Sequence, residues 1–274
     1  MPAIREIRAK TILCKSGISD YCVNCYIGCV HNCIYCYARF MRRFSGHSEP
    51  WGHFLDVKIN AAEVLQREVR RKAPGRVFFS SVCDPYQPAE SRYQISRACL
   101  SILLEAGFYP SILTKSKLVR RDFDILKAYE NCEVGCTLTT MDENLRFRIE
   151  PGSSPTRERI AVLEEACSLG IKTYAFLGPF MPGLSDTDDA LDALISAVAQ
   201  LPLTHFYADK LNPRPGVSYS VLRLVQRCYP SLMGLYRRLL FDEDHYEDYC
   251  ASLGRRLRHI AAANGIADKL KMAF

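Results

Sequence analysis

Residues 28–40 read GCVHNCIYCYARF, and the interpretation of the whole chain turns on them. They set Cys29, Cys33 and Cys36 in the spacing CxxxCxxC, with Tyr35 and Tyr37 on either side of the last cysteine. The run is too short for a strand and too irregular for a helix, so it gathers three thiols on one loop. Soft thiolate donors select zinc or an iron–sulfur cluster. Structural zinc wants four ligands and usually pairs one CxxC with another. A [4Fe–4S] cluster normally takes four cysteines, and three leave one iron open. Buried structural cysteines are the third reading, although packing gives little reason for three thiols so close together.

Outward from this loop the chain alternates. The β-prone run 21–27 leads into it, and further strands are expected over 76–82, 109–114, 133–139, 172–177 and from 205 to 208. Helices are expected over 59–72, where Asn60 is placed as an N-cap, and over 94–106, 121–129, 156–168 and 188–201, the last opened by the capping signal SDTD. The periods of about 30 residues suit βαβ units, and the near-continuous apolar runs suit a parallel sheet buried on both faces. An α/β fold follows, as either a partly closed barrel or a doubly wound sheet. Both put functional residues at the C-terminal ends of strands. Polar residues gather at those ends here: Cys83–Asp84, Lys115–Ser116, Thr139–Thr140, Gly178, and Asp209–Lys210 with Asn212. Residues 1–20 read as a polar approach segment, and 219–264 as amphipathic helix. The expected division is a core over 1–218 and a helical extension over 219–274 packed on it.

The totals exclude several classes. The 274 residues are 48% hydrophobic and 24% charged, ordinary for a globular chain with a sizeable core. Thirteen cysteines would suit a disulfide scaffold only in a short secreted chain. The opening MPAIREIRAK is charged, with no apolar stretch behind it, and no run reaches the ~18 apolar residues of a membrane span. A cytoplasmic protein with no membrane contact is expected, its cysteines serving as thiols or metal ligands. The net charge of +6 is compatible with an anionic partner without demanding one.

The loop in its setting resembles a known family. CxxxCxxC with an aromatic before the last cysteine resembles the signature of radical S-adenosylmethionine (radical SAM) enzymes. The segments NCYIGCVHNCIYCYARFM, VKINAAEVL, SSVCDPYQPAE, SILTKSKLVRRD, VGCTLTT, EPGSSPTRERI, TYAFLGPFMPGLSD and DKLNPRPGV resemble, in order over roughly residues 12–220, the spore photoproduct lyase-like branch. That resemblance implies a partial (β/α)6 TIM-like barrel with a [4Fe–4S] cluster on Cys29, Cys33 and Cys36. It implies that S-adenosylmethionine chelates the fourth iron and is cleaved reductively to a 5′-deoxyadenosyl radical that abstracts hydrogen. The electron would come from a donor such as flavodoxin or ferredoxin.

The resemblance also assigns residues. Asp84 stands where the SAM amino group is held, and Lys115 where a lysine reaches the SAM carboxylate. Thr137 and Thr139 stand on a strand that meets the ribose or carboxylate, and Arg159 on a helix near the carboxylate. Tyr35 would lie by the adenine, with Gly178 letting backbone approach it. Cys83 and Tyr37 correspond to the catalytic cysteine and tyrosine of the lyases, but Cys83 is offset a couple of residues from the lyase cysteine, at Ser81. A DNA lesion is the substrate that branch suggests. Hydrogen abstraction from a peptide or small molecule, and a non-enzymatic iron–sulfur or zinc protein, remain the alternatives. Arg39, Arg42 and Arg43, interleaved with Phe40, Met41 and Phe44, would suit a nucleic-acid substrate and suit a solvated helix face equally well. Cys14, Cys22 and Cys25 are available for a second metal, and Cys132 and Cys136 read as core.

Overall fold

Eleven strands appear in chain order in the computed structural model, which describes residues 2–274: β1 (Ala3–Ile7), β2 (Leu13–Lys15), β3 (Tyr21–Val23), β4 (Tyr26–Ile27), β5 (Phe54–Lys58), β6 (Arg76–Phe79), β7 (Tyr109–Thr114), β8 (Glu133–Leu138), β9 (Thr173–Phe180), β10 (His205–Lys210) and β11 (Leu270–Met272). Six of them, β3-β6-β7-β8-β9-β10, run parallel as consecutive neighbours. This is the expected α/β arrangement of a partial barrel, with helices such as Ile95–Glu105 and Thr156–Ser168 crossing between strands. The central β8 is buried at all six positions, as the apolar runs require. Antiparallel β2 flanks β3 at one edge and parallel β11 flanks β10 at the other.

The N-terminal half differs from expectation. The run 21–27 is not one strand: the chain leaves the barrel sheet at Val23 and re-enters structure as β4 in a separate sheet ordered β1-β5-β4. Residues 1–20 supply two strands, and β1 pairs with β5 in parallel. Their polar sequence hid them, because β1 is largely exposed and is fixed by a long-range partner. Arg5 grips the buried Asp56 with two hydrogen bonds of 2.8 Å. Asn60 precedes the helix Ala61–Val69 but does not cap it with its side chain. Its amide instead accepts from the Ala9 N–H (2.7 Å) and donates to the Ala9 carbonyl (2.9 Å), tying down the approach segment.

Other boundaries moved less. The 121–129 helix is a 3-10 turn, Lys117–Asp122, followed by the short Phe123–Leu126. A helix at Glu143–Ile149 was not anticipated. The C-terminal region comprises Val217–Cys228, Met233–Phe241 and Glu243–Ala263, followed by β11. No helix among the described residues is long and apolar enough to cross a membrane.

Candidate functional site

The small sheet aims the cysteine loop. β4 delivers the chain to Gly28, and the loop then crosses the C-terminal ends of the barrel strands. Cys29 and Cys33 each head a tight turn, with Asn32 N–H donating to the Cys29 carbonyl (3.3 Å) and Cys36 N–H to the Cys33 carbonyl (3.2 Å). Three neighbours hold the loop. The Gln87 side chain accepts from Val30 N–H (3.1 Å), and Ile34 N–H reaches the Ile149 carbonyl (2.9 Å). Gly152 sits against the loop so closely that a Cβ there would lie 2.5 Å from the Val30 carbonyl oxygen.

Beneath the loop is a cavity of about 180 Å³. All three cysteines line it, together with Tyr35, Tyr37, Trp51, Cys83, Asp84, Lys115, Thr137, Asp209 and Asn212, over an apolar floor that includes Leu113 and Phe176. So the expected cluster ligands and most of the expected cofactor residues converge on one space. Burial raises the thiol pKa of each cysteine, that of Cys33 to about 12, while the Lys115 ammonium pulls Cys33 and Cys36 the other way. No three His, Cys, Asp or Glu side chains among the described residues converge tightly enough for a single ion. A tetrahedral zinc with Zn–S of ~2.3 Å needs its sulfurs about 3.8 Å apart, whereas a cluster carries each thiolate on a different iron. Three cysteines on one loop are the donor set of a cluster with one open iron, whereas a structural zinc site takes four ligands. Of the three upstream cysteines, Cys14 is exposed, Cys22 is half-buried, and Cys25 is buried in the core beside Cys99.

Among the polar groups lining the cavity that have no hydrogen-bond partner are His31 Nδ1, the Trp51 indole N–H, the Lys115 amine and the Thr137 hydroxyl. The Lys115 amine forms no hydrogen bond or ion pair among the described residues and stands 5.9 Å from the Tyr35 ring centroid. Burial lowers its pKa, but Cys33, Glu150 and Asp84 more than reverse this, so it is an ammonium. The Thr137 hydroxyl is buried and has no partner. A cation and an orphaned hydroxyl beside three thiols are donors set for an anionic, polar ligand, and they fit a bound S-adenosylmethionine carboxylate.

The remaining expected residues have other occupations. Asp84 is a hub: its carboxylate accepts from Tyr86 N–H (2.9 Å), Thr114 Oγ1 (2.7 Å) and Lys115 N–H (2.8 Å). His31 Nδ1 stands 3.3 Å away without completing a hydrogen bond. Burial would raise the Asp84 pKa, but His31, Lys115 and Thr114 hold it below the usual carboxylate range. Arg159 is fully buried and does not line the cavity. It pairs with the buried Glu150 (2.5 Å) and donates to the Thr137 carbonyl (2.7 Å). Glu150 in turn accepts from the Tyr35 hydroxyl, so Tyr35, Glu150 and Arg159 form a strut between loop and helix. Thr139 is buried outside the cavity lining. Gly178, at φ +110°, faces β10: a Cβ would meet the Asp209 carbonyl oxygen at 2.3 Å, at the register shift between Ala208 and Lys210. Its glycine is explained by strand packing.

Cys83 lines the cavity with its sulfur 3.3 Å from Ser80 Oγ, and burial pushes its thiol up to about 12. The Tyr37 hydroxyl donates to the Ser81 carbonyl, and its ring is half exposed at the rim. Sequence reasoning missed Glu150, His31 and Trp51. The only signals for them were the EPG turn, the position inside the cysteine spacing, and the chain's sole tryptophan. Of the basic run, Arg39 turns inward to the Cys33 carbonyl (2.8 Å) and Arg42 binds the carbonyls of Ser48 and Glu49. Arg42 and Arg43 both remain exposed, Arg43 with no side-chain hydrogen bond among the described residues.

The radical SAM superfamily profile matches residues 23–195. An uncharacterized protein of Methanocaldococcus jannaschii is 35% identical over 206 residues, covering 74% of this chain and 75% of its own. A radical SAM Nα-GlyT isomerase of Pseudomonas phage M6 is 24% identical over 164 residues, 59% of this chain and 33% of its own. Among solved structures, spore photoproduct lyase complexed with dinucleoside spore photoproduct superposes with a TM-score of 0.68 at 14% identity, over 99% of this chain and 82% of that one. The chain belongs to the radical SAM superfamily and is an enzyme of that type, with the fold of spore photoproduct lyase.

Proposed function

We propose that this enzyme cleaves S-adenosylmethionine reductively at a [4Fe–4S] cluster on Cys29, Cys33 and Cys36 and takes hydrogen from a nucleic-acid substrate. The observation that carries the first half is the unpaired Lys115 ammonium and partnerless Thr137 hydroxyl in the cavity the three cysteines line. Cys29, Cys33 and Cys36 would hold the cluster, which when bound would provide the one-electron reduction of the sulfonium with an electron from a flavodoxin- or ferredoxin-type donor. The chain's own residues do the rest. Lys115 neutralises and orients the carboxylate of the cofactor. Asp84 holds the strand ends carrying Thr114 and Lys115 in register, and the strut of Tyr35, Glu150 and Arg159 keeps the loop seated. The apolar floor keeps water from the reacting carbon.

The nucleic-acid half is supported by the rim. Tyr37 lines the cavity and is 46% exposed, Phe40 (41%) and Phe44 (71%) are exposed on the 3-10 turn Tyr37–Phe44 that follows the loop, and the Arg214 guanidinium lies 6.0 Å from the Tyr37 ring centroid. Stacking aromatics with a few cations suit unstacked bases more than a long duplex track. The dinucleoside bound by the structural relative points the same way. The Cys83 thiol in the cavity wall would give its hydrogen atom to the product radical, and the thiyl left behind would return to the thiol by taking one electron from the same donor and a proton.

Anaerobic reconstitution with iron and sulfide, then dithionite and S-adenosylmethionine, is expected to yield 5′-deoxyadenosine and methionine. A fully loaded protein giving neither would overturn the proposal. Cys33→Ala should lose both iron and cleavage. Lesion-bearing oligonucleotides should accelerate 5′-deoxyadenosine formation, and an unchanged rate would remove nucleic acid as the substrate. Cys83→Ala should keep cleavage and lose most of the repaired product.

A further inference from the structure

Trp51 is the one tryptophan in the chain, and it is 4% exposed. Its indole N–H is buried without a hydrogen-bond partner. Leaving a buried donor unpaired is costly, so an acceptor within reach of this N–H is expected. The candidates are few. Trp51 lines the cavity beside the three cysteines and packs in one apolar cluster with Cys29, Ala38 and Phe54, with Cys36 against it. Cys36 is the cysteine that packs against this cluster at the cavity wall, yet the indole nitrogen completes no hydrogen bond with it or with any other described group.

The ring has little freedom to turn elsewhere. It meets Phe54 edge to face (6.0 Å, 83°), and Phe54 stacks on His47 (4.3 Å). His47 is fixed in turn by Asp56 (2.8 Å) and Glu49 (3.2 Å). The donor is therefore pre-set before any cluster arrives. A thiol carries its own proton and accepts weakly, whereas a thiolate on iron is a strong acceptor. The orphan is thus explained if its partner is a ligated sulfur.

We propose that the Trp51 indole N–H donates to the Cys36 thiolate of the bound cluster and raises the cluster's reduction potential. A donor to a cluster sulfur stabilises the more negative, reduced state. Trp51 is on this reading a positioning and tuning residue, not a catalytic one. The inference rests on the cluster assignment proposed above, and the test separates the two.

Because Trp51 is unique, indole-15N-tryptophan labels one site. Wild-type protein reconstituted with iron and sulfide and reduced with dithionite should show hyperfine coupling between the cluster spin and that nitrogen. Trp51→Phe should load the same iron and sulfide but favour reduction about tenfold less, a fall of about 59 mV for a one-electron couple. Emission from Trp51 should be quenched when the cluster is loaded. A loaded cluster with no nitrogen coupling overturns this proposal even if the variant does not fold, as does an unshifted potential in a loaded variant. Failure of the wild type to load any cluster overturns the cluster assignment itself.

Discussion

Lys115 shows how a strand end becomes a binding group. Its backbone N–H is held by Asp84 (2.8 Å), which leaves the amine free to project into the cavity. A charge-assisted contact to a carboxylate contributes about 1.5–3 kcal/mol. Lys115→Met should therefore raise the KM for S-adenosylmethionine about 10- to 100-fold while iron and sulfide content stay unchanged. Equal KM values would mean that the ammonium faces something else. Asp209 is the opposite case. Burial raises its pKa from 3.8 to about 6 against the pull of Lys210 and Asn212. The folded state thus prefers the neutral acid: that stability is full below pH ~4 and is lost as pH rises through about 6. Asp209→Asn should be the more stable protein at pH 7.5, by about 2 kcal/mol, and should lose that advantage near pH 4. Matching urea midpoints at both pH values would contradict this.

The cysteine loop is an element without regular structure, and its shape is borrowed from its neighbours. Gly152, from the turn after Glu143–Ile149, touches it at van der Waals limits and donates its N–H to the His31 carbonyl (3.1 Å). Gly152→Ala would drive a methyl into the Val30 carbonyl and the His31 Cα (2.7 Å). Overpacking of this kind costs roughly 1–3 kcal/mol. The expected result is reduced iron loading on reconstitution with the barrel's far-ultraviolet circular dichroism retained. Full loading would show that the loop is held well enough by Gln87 and Ile149. The cysteine spacing was legible because it is local. The clamp was not, since Gln87, Ile149 and Gly152 lie 57 or more residues away along the chain for the hydrogen bond from Val30 and farther for the rest.

Across the molecule, the open side of the partial barrel ends on β10, whose outer edge is covered by β11. Phe206, Tyr207 and Ala208 pair with Leu270, Lys271 and Met272, and Ala273 N–H closes on the Ala208 carbonyl (2.9 Å). An uncovered parallel edge is a template for association. Removing residues 265–274 should lower the melting temperature and give concentration-dependent association on gel filtration. A monomeric truncation of unchanged stability would show that β11 is dispensable. The tail's three-residue strand has no periodicity of its own, and only the geometry of β10 makes it one.

The amino-acid order by itself determined the alternation of six parallel strands with helices and the three-thiol loop, because both depend on patterns within a few residues. The tertiary structure decided which polar residues face the cavity. Asp84 and Arg159 carry the right charges for a cofactor, yet backbone donors occupy the first and Glu150 the second. Lys115, Thr137 and Trp51 stay unpaired. A side chain is available to a ligand only when no nearer partner has satisfied it, and partners are set by packing across the fold.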